Sequence, residues 1–200
     1  MHKHSTRNLL KNYNKIEPIS FLVKKLMAPN PSPFTLYGTG TFIIGREQIC
    51  IIDPGPLIKS HIDNLLKLID KKLISHILVT HTHADHSPAA NIIKKETGAK
   101  TYAYSAYPKD VKGNKFDEAH DKSFIPDVEL SDNEIIQGKD WTIKAIHTPG
   151  HTSNHLCYAL EEEKLLFTGD HVMGWATTVI VPPDGDMDDY IKSLKKLLLY

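Results

Sequence analysis

Two periods of apolar residues organise the chain. Thr41–Ile44 and Ile49–Ile52 are short β-branched runs separated by Gly45-Arg46-Glu47-Gln48, which predicts a hairpin with a four-residue loop. Asp53-Pro54-Gly55-Pro56 stops the second run. Ile58, Ile62, Leu65, Leu66 and Ile69 then recur at helical spacing. Ile74–Thr80 predicts a buried strand. Ser87-Pro88 predicts a helix start, with Ser87 as N-cap and Pro88 in the first turn; that helix carries Ala89, Ile92 and Ile93, and Lys100–Tyr104 is the next strand. Trp141–Ile146, Leu156–Leu160 and Leu165–Thr168 read as strands, the last two joined by the charged turn Glu161–Lys164. A final helix, capped by Asp186 or Asp188, has Tyr190, Ile191, Leu194, Leu197 and Leu198 as its apolar face. Residues 105–131 show no period, and Val172–Gly185 reads as loop or irregular strand. Hairpins mixed with strand–helix units place the chain in the α/β (α+β) class, with sheets covered by helices. Residues 1–28 read as an N-terminal extension and first strand region, and 29–200 as a single domain.

Composition narrows the function classes. The 200 residues are 40% hydrophobic and 24% charged, the balance of a globular domain. Lys+Arg and Asp+Glu are both 24, which argues against a broad non-specific grip on nucleic acid. No apolar run is long enough for a membrane span, and the N-terminus has no apolar signal-peptide core, so a cytoplasmic protein is expected. Cys50 and Cys157 form no CxxC pair and sit in apolar runs, which predicts two buried reduced thiols. The 12 histidines direct attention to metal ligands.

The chemistry concentrates in Thr80-His81-Thr82-His83-Ala84-Asp85-His86-Ser87, between a strand's end and a helix. Ligands there have a rigid support and face an open crevice. His81 and His83 are two apart, so extended backbone puts both on one side. Asp85 and His86 lie beyond a turn and can serve a neighbouring point. Thr148-Pro149-Gly150-His151-Thr152 follows one later strand, where Pro-Gly turns to present His151. Phe167-Thr168-Gly169-Asp170 ends another and presents Asp170.

HxHxDH followed by TPGH and then GD resembles the metallo-β-lactamase fold superfamily of metallohydrolases, over nearly the whole chain from about Asn30 to Leu199. The resemblance implies a four-layer αββα sandwich with metals in a groove at one edge. It implies that His81, His83 and His151 bind one metal, that Asp85 and His86 bind a second, and that Asp170 bridges both. It matches Asp53, in Ile-Asp-Pro-Gly, to a buried aspartate that orients the ligands. It implies one or two zinc ions, with iron or manganese as alternatives, and metal-bound hydroxide as nucleophile on an ester-like or phosphodiester bond. Three imidazoles leave zinc an open position for water, whose pKa falls from about 15.7 towards about 7. Asp85 is then the catalytic residue that orients the nucleophile and moves a proton. His83, where diiron flavoprotein relatives carry glutamate, points to a hydrolytic site. His155 and His171 are candidate groove residues.

Asn30–Leu36 and Gly174–Thr178 resemble the β-lactamase-like protein 2 group, whose animal members are endoribonucleases on single-stranded RNA; bacterial members are described as hydrolases or as similar to hydroxyacylglutathione hydrolase (glyoxalase II). Substrate readings are therefore a small-molecule ester or thioester, or single-stranded RNA. Two further readings stay open: a mononuclear-iron persulfide dioxygenase holding iron through His81, His151 and Asp170, and an inactive truncated remnant. Most hydrolases of the superfamily carry one more metal histidine on a strand after the final helix. The chain ends at Tyr200, before that strand. The resemblance therefore predicts a sandwich truncated at its C-terminus, a second metal short of one ligand, and pairing of copies through the incomplete sheet edge.

Overall fold

In a computed structural model of the chain, residues 13–107 and 120–200 are described. Seven strands among them form one sheet: β1 (Glu17–Pro18), β2 (Val23–Met27), β3 (Gly40–Ile44), β4 (Ile49–Ile52), β5 (Ile74–Leu78), β6 (Lys100–Ala103) and β7 (Val128–Glu129), in sequence order across the sheet. Pairing is antiparallel from β1 to β4 and parallel from β4 to β7. The change follows from the connections. A four-residue loop can only fold β4 back beside β3, whereas α1 (Lys59–Leu68) and α2 (Ala90–Thr97) supply the crossovers that parallel neighbours need. A second, antiparallel sheet has the order β11-β10-β9-β8, from β8 (Ile135–Gln137), β9 (Thr142–His147), β10 (Leu156–Leu160) and β11 (Leu165–Phe167).

Strand β4 shows why its four residues are all apolar. Ile49 and Ile51 face a core with Ile62, Leu65 and Ile93 of the helices, while Cys50 and Ile52 face a second core between the sheets with Trp141, Tyr158 and Phe167. Both faces are covered, so alternation with polar residues disappears. Each fully buried isoleucine here contributes about 1.5–3 kcal/mol of transfer free energy. Cys50 and Cys157 are free and buried, as expected. The final helix, α3 (Met187–Leu197), is the fourth layer. It is tied beside the end of β9 by Ser193 Oγ donating to Pro149 O at 2.7 Å and Lys196 Nζ donating to His147 O at 2.9 Å. The layers run helix, sheet, sheet, helix, the predicted αββα sandwich. No helix among the described residues is long and apolar enough to cross a membrane.

Two local expectations need correction. Ser87 does not cap α2. Its hydroxyl donates to Asp121 Oδ2 at 3.0 Å, and its N–H to His83 O at 3.2 Å, so residues 84–89 turn around the histidine loop and the helix starts at Ala90 without a side-chain cap. The apolar face assigned to α3 holds at Tyr190, Leu194 and Leu197, which are half-buried, but not at its other two residues. Ser193 is the buried residue, whereas Ile191 is 44% and Leu198 is 85% exposed. The helix meets the preceding turn closely, Ser193 Oγ bonding Pro149 O and the Tyr190 backbone lying against Gly150. Strands β1 and β8 were not foreseen, being two and three residues long. Of the unassigned 105–131 stretch, the structure supplies β7; residues 108–119 lie outside the described residues.

Candidate metal centre

The site is built where β4 and β5 end side by side. Asp53 follows β4 with φ +50°, a left-handed conformation that Asp tolerates better than most residues. This turns its carboxylate across to the next strand. Oδ1 accepts from Thr80 N at 2.8 Å, and Oδ2 accepts from Thr80 Oγ1 at 2.8 Å and His86 Nδ1 at 2.9 Å. Gly55 N donates to His86 O at 2.9 Å, which closes the histidine loop onto the Asp-Pro-Gly turn.

His81, His83, His151 and Asp170 offer ligand atoms that all lie within 4.8 Å of one another. His83 Nδ1 is 2.8 Å from His81 Nε2 and 3.0 Å from His151 Nε2. The hydrogen bonds fix two tautomers. Thr80 Oγ1 spends its hydrogen on Asp53, so His81 Nδ1–H donates to it at 3.0 Å. His151 Nδ1–H donates to Val179 O at 2.6 Å, since a carbonyl can only accept. Both Nε2 atoms are thereby left with lone pairs facing the cluster. Burial first, and then the neighbouring imidazoles, push His81 and His83 well below the ordinary histidine value; burial also lowers His151. These are neutral imidazoles at pH 7, the form that binds metal.

Asp170 faces two ways. Oδ2 lies 4.0 Å from His81 Nε2 and 3.8 Å from His151 Nε2, and Oδ1 lies 3.3 Å from His86 Nε2. Asp85 Oδ2 also lies 3.3 Å from His86 Nε2, and it accepts from Thr39 Oγ1 at 2.6 Å. His86 Nε2 is buried and forms a hydrogen bond with neither carboxylate. The three groups are directed at a shared gap rather than at one another. Burial pulls the His86 pKa down, but Asp85, Asp170 and Asp53 together raise it well above its ordinary value. Burial likewise pushes Asp85 and Asp170 up, yet His86 brings both below the usual carboxylate range. The fold thus gathers ionised carboxylates and imidazole nitrogens around a point that calls for positive charge. That donor set fits a divalent ion such as zinc, with iron or manganese also accommodated.

All six motif residues and Asp53 come together, but His155 and His171 do not line the groove. Both are fully buried behind it. The His155 ring lies 5.1 Å from that of His81, and its Nδ1 pairs with Thr148 Oγ1 at 3.0 Å. Gly169 makes room for this packing: a Cβ there would fall 2.7 Å from His155 Nε2. Sequence reasoning missed Thr39, Thr178, Val179 and His120. Thr178 Oγ1 donates to Asp170 O at 2.6 Å, and the His120 ring stands 4.3 Å from that of His83. Beside the cluster opens a cavity of about 660 Å³, with His83, Asp85, His151 and Asp170 in its wall. Residues 173–184 of the loop after β11 line it, and Tyr107 and His120 come from the 105–131 stretch. Asn30–Thr35 forms a further wall that the sequence did not reveal.

The sequence profile of the Metallo-beta-lactamase superfamily matches residues 35–200. Among curated proteins, an atrochrysone carboxyl ACP thioesterase of Aspergillus terreus is 33% identical over 175 residues, covering 86% of this chain and 50% of that one. A lactamase-like protein of Pestalotiopsis microspora is 35% identical over 175 residues, covering 82% and 48%. The chain spans about half the length of these curated relatives. Among solved structures, a metallo-beta-lactamase from Pontibacter korlensis superposes with a TM-score of 0.72 at 18% identity, covering 92% of this chain and 85% of that one. At that identity the likeness is one of fold. With a family profile matched over most of its length and relatives a third identical, the chain belongs to the metallo-beta-lactamase superfamily.

Proposed function

We propose that the chain is a zinc-dependent hydrolase of an uncharged ester-like bond, with a thioester as its preferred substrate class. The observation that carries this reading is the convergence of three neutral imidazoles and Asp170 beside the gap enclosed by Asp85, His86 and Asp170. His81, His83 and His151 would hold a first ion and Asp85 and His86 a second, with Asp170 between the two sets. Bound zinc supplies a Lewis acid that makes water nucleophilic near neutral pH and polarises a carbonyl.

The chain's own residues set the rest. Asp85, held ionised by His86 and Thr39, accepts a hydrogen bond from the attacking water and orients it. So acidic a carboxyl is a weak proton donor to a leaving group. A thiolate needs less such help than an alkoxide or an amine, because thiols have pKa values of about 8.5. The names of relatives such as the Aspergillus terreus thioesterase agree. Against RNA, no Lys or Arg lines the cavity among the described residues, so those residues offer a phosphate backbone no cationic partner.

The test is thiol release from acyl thioesters by metal-depleted and zinc-reloaded protein, beside cleavage of single-stranded RNA. Thiol release should depend on zinc. It should fall about 10²–10⁴-fold in Asp85→Asn with an unchanged circular dichroism spectrum, and His81→Ala should lose bound metal. RNA cleavage without thiol release, or Asp85→Asn working at the parent rate, would overturn the reading.

A further inference from the structure

We propose that the cavity beside the metal-ligand cluster binds the apolar, uncharged acyl or aryl portion of the substrate, with Phe34 and Trp175 as its specificity-determining residues. This rests on the ester-hydrolysis reading above and names its substrate class. The volume of about 660 Å³ is that of a small-molecule site. Because His83, Asp85, His151 and Asp170 form part of its wall, an occupant lies directly against the reacting centre.

Most of the rest of the described wall comes from two loops that contribute large apolar side chains, with Tyr107 and His120 beside them. Pro33 and Phe34 belong to one, and Met173, Trp175, Val179 and Val181 to the other. Surface loops ordinarily carry polar residues. Here Phe34 is 67% and Trp175 is 44% exposed, so large apolar side chains face water beside a catalytic cluster, an arrangement that marks a binding surface. Outside the donor set, the carboxylate in the described wall is Asp184, which accepts from Ser153 N at 3.2 Å. Among the described residues an anionic occupant finds no cation in the wall, whereas a hydrocarbon or aromatic group finds matching surface. The second loop is also anchored at the centre itself: Val179 O accepts from His151, and Thr178 bonds Asp170. The wall is therefore held in place before any ligand arrives. Each methylene buried against it should tighten binding about two- to fourfold.

Trp175 provides a direct readout, because the chain's other tryptophan, Trp141, is buried in the core at 1% exposure. The protein is titrated with N-octylacetamide and N-ethylacetamide, and tryptophan emission is followed. The octyl probe should give a saturable blue shift with a Kd at least about tenfold below that of the ethyl probe. The shift should vanish in Trp175→Phe, and the affinity, read by calorimetry, should weaken in Phe34→Ala. The zinc-loaded enzyme should prefer hexanoyl over acetyl thioester in kcat/KM, with the preference reduced in Phe34→Ala. No saturable shift with the octyl probe, or an equal shift in Trp175→Phe, would overturn the proposal. So would equal kcat/KM for the two thioesters. Octyl binding at Trp175 with no turnover of any thioester would support the apolar site while sinking the hydrolase reading, so the two failures are distinguishable.

Discussion

Asp53 makes three short hydrogen bonds and touches none of the atoms that face the gap. By accepting from Thr80 N and Oγ1 it makes Thr80 an acceptor for His81 Nδ1–H, and by accepting from His86 Nδ1–H it aims His86 Nε2 at the gap between Asp85 and Asp170. One carboxylate thus sets the orientation of a histidine in each half of the site. Asp53→Asn keeps the tolerance for left-handed φ but replaces an accepting oxygen by a donating amide opposite Thr80 Oγ1 and His86. We expect zinc affinity to fall about 10–100-fold, measured against a competing chelator, and stability to urea to fall by about 1–3 kcal/mol. Unchanged zinc affinity would show that the backbone alone orients His81 and His86. The motif was legible in the sequence because its ligands share one turn. The pairing of Asp53 with Thr80 across 27 positions was not, since no local spacing encodes it.

At the scale of elements, the position of His151 depends on how α3 docks. Gly150 has φ +141°, and a Cβ there would lie 2.4 Å from Tyr190 Cα and 2.6 Å from Tyr190 N. Its carbonyl accepts from Asp186 N at 2.9 Å, and Asp186 caps the helix by accepting from Asp189 N at 2.9 Å. The Pro-Gly turn therefore does more than present the next residue; it is the seat of a helix. Gly150→Ala should drive α3 away from the turn, costing at least about 2 kcal/mol from strain at the positive φ and the clash with backbone, and should weaken zinc binding through His151. Asp186→Ala removes the cap without the clash and should cost about 1 kcal/mol with zinc affinity retained. Urea denaturation and zinc titration of the two variants separate the effects. Equal zinc affinity in Gly150→Ala and the parent would detach the helix seat from the site.

At the scale of the whole molecule, the buried histidines link the fold to pH. Burial lowers His61, His155 and His171 below the ordinary histidine value, His171 to about 4. Below about pH 6.5 the unfolded chain takes up protons that the folded chain refuses. Metal-free protein should therefore lose stability as pH falls from about 6.5 towards about 4. His86 works the other way: its pKa is raised in the fold, so its contribution is present below about pH 6.5 and is lost as pH rises through the folded value. Among the described residues, seven of the shifted histidines go down and one goes up, so net destabilisation in acid is expected. Urea midpoints at pH 7.5 and pH 5, measured with chelator present, give the sign; a higher midpoint at pH 5 would contradict it. On the proposed reading zinc binds the folded chain, so chelation at pH 7.5 should lower the thermal midpoint. An unchanged midpoint would mean that the purified protein carries no metal.

What the sequence determined by itself was whatever a short stretch of backbone can enforce. A histidine pair two apart at a strand end, an aspartate and histidine one turn later, and a doubly buried strand such as Ile49–Ile52 all follow from local geometry and period. What only the tertiary structure decided were contacts between segments with no spacing in common. Thr39 reaches Asp85 across 46 positions, Val179 receives His151 across 28, and Asn30–Thr35 meets residues 173–184 to wall the cavity. The face that α3 buries was settled in the same way: Tyr190 lies against Gly150 and Ser193 bonds Pro149 O, which turns Ile191 to solvent. Hydrophobic period reports that a side chain is buried; the packing of the layers decides against what.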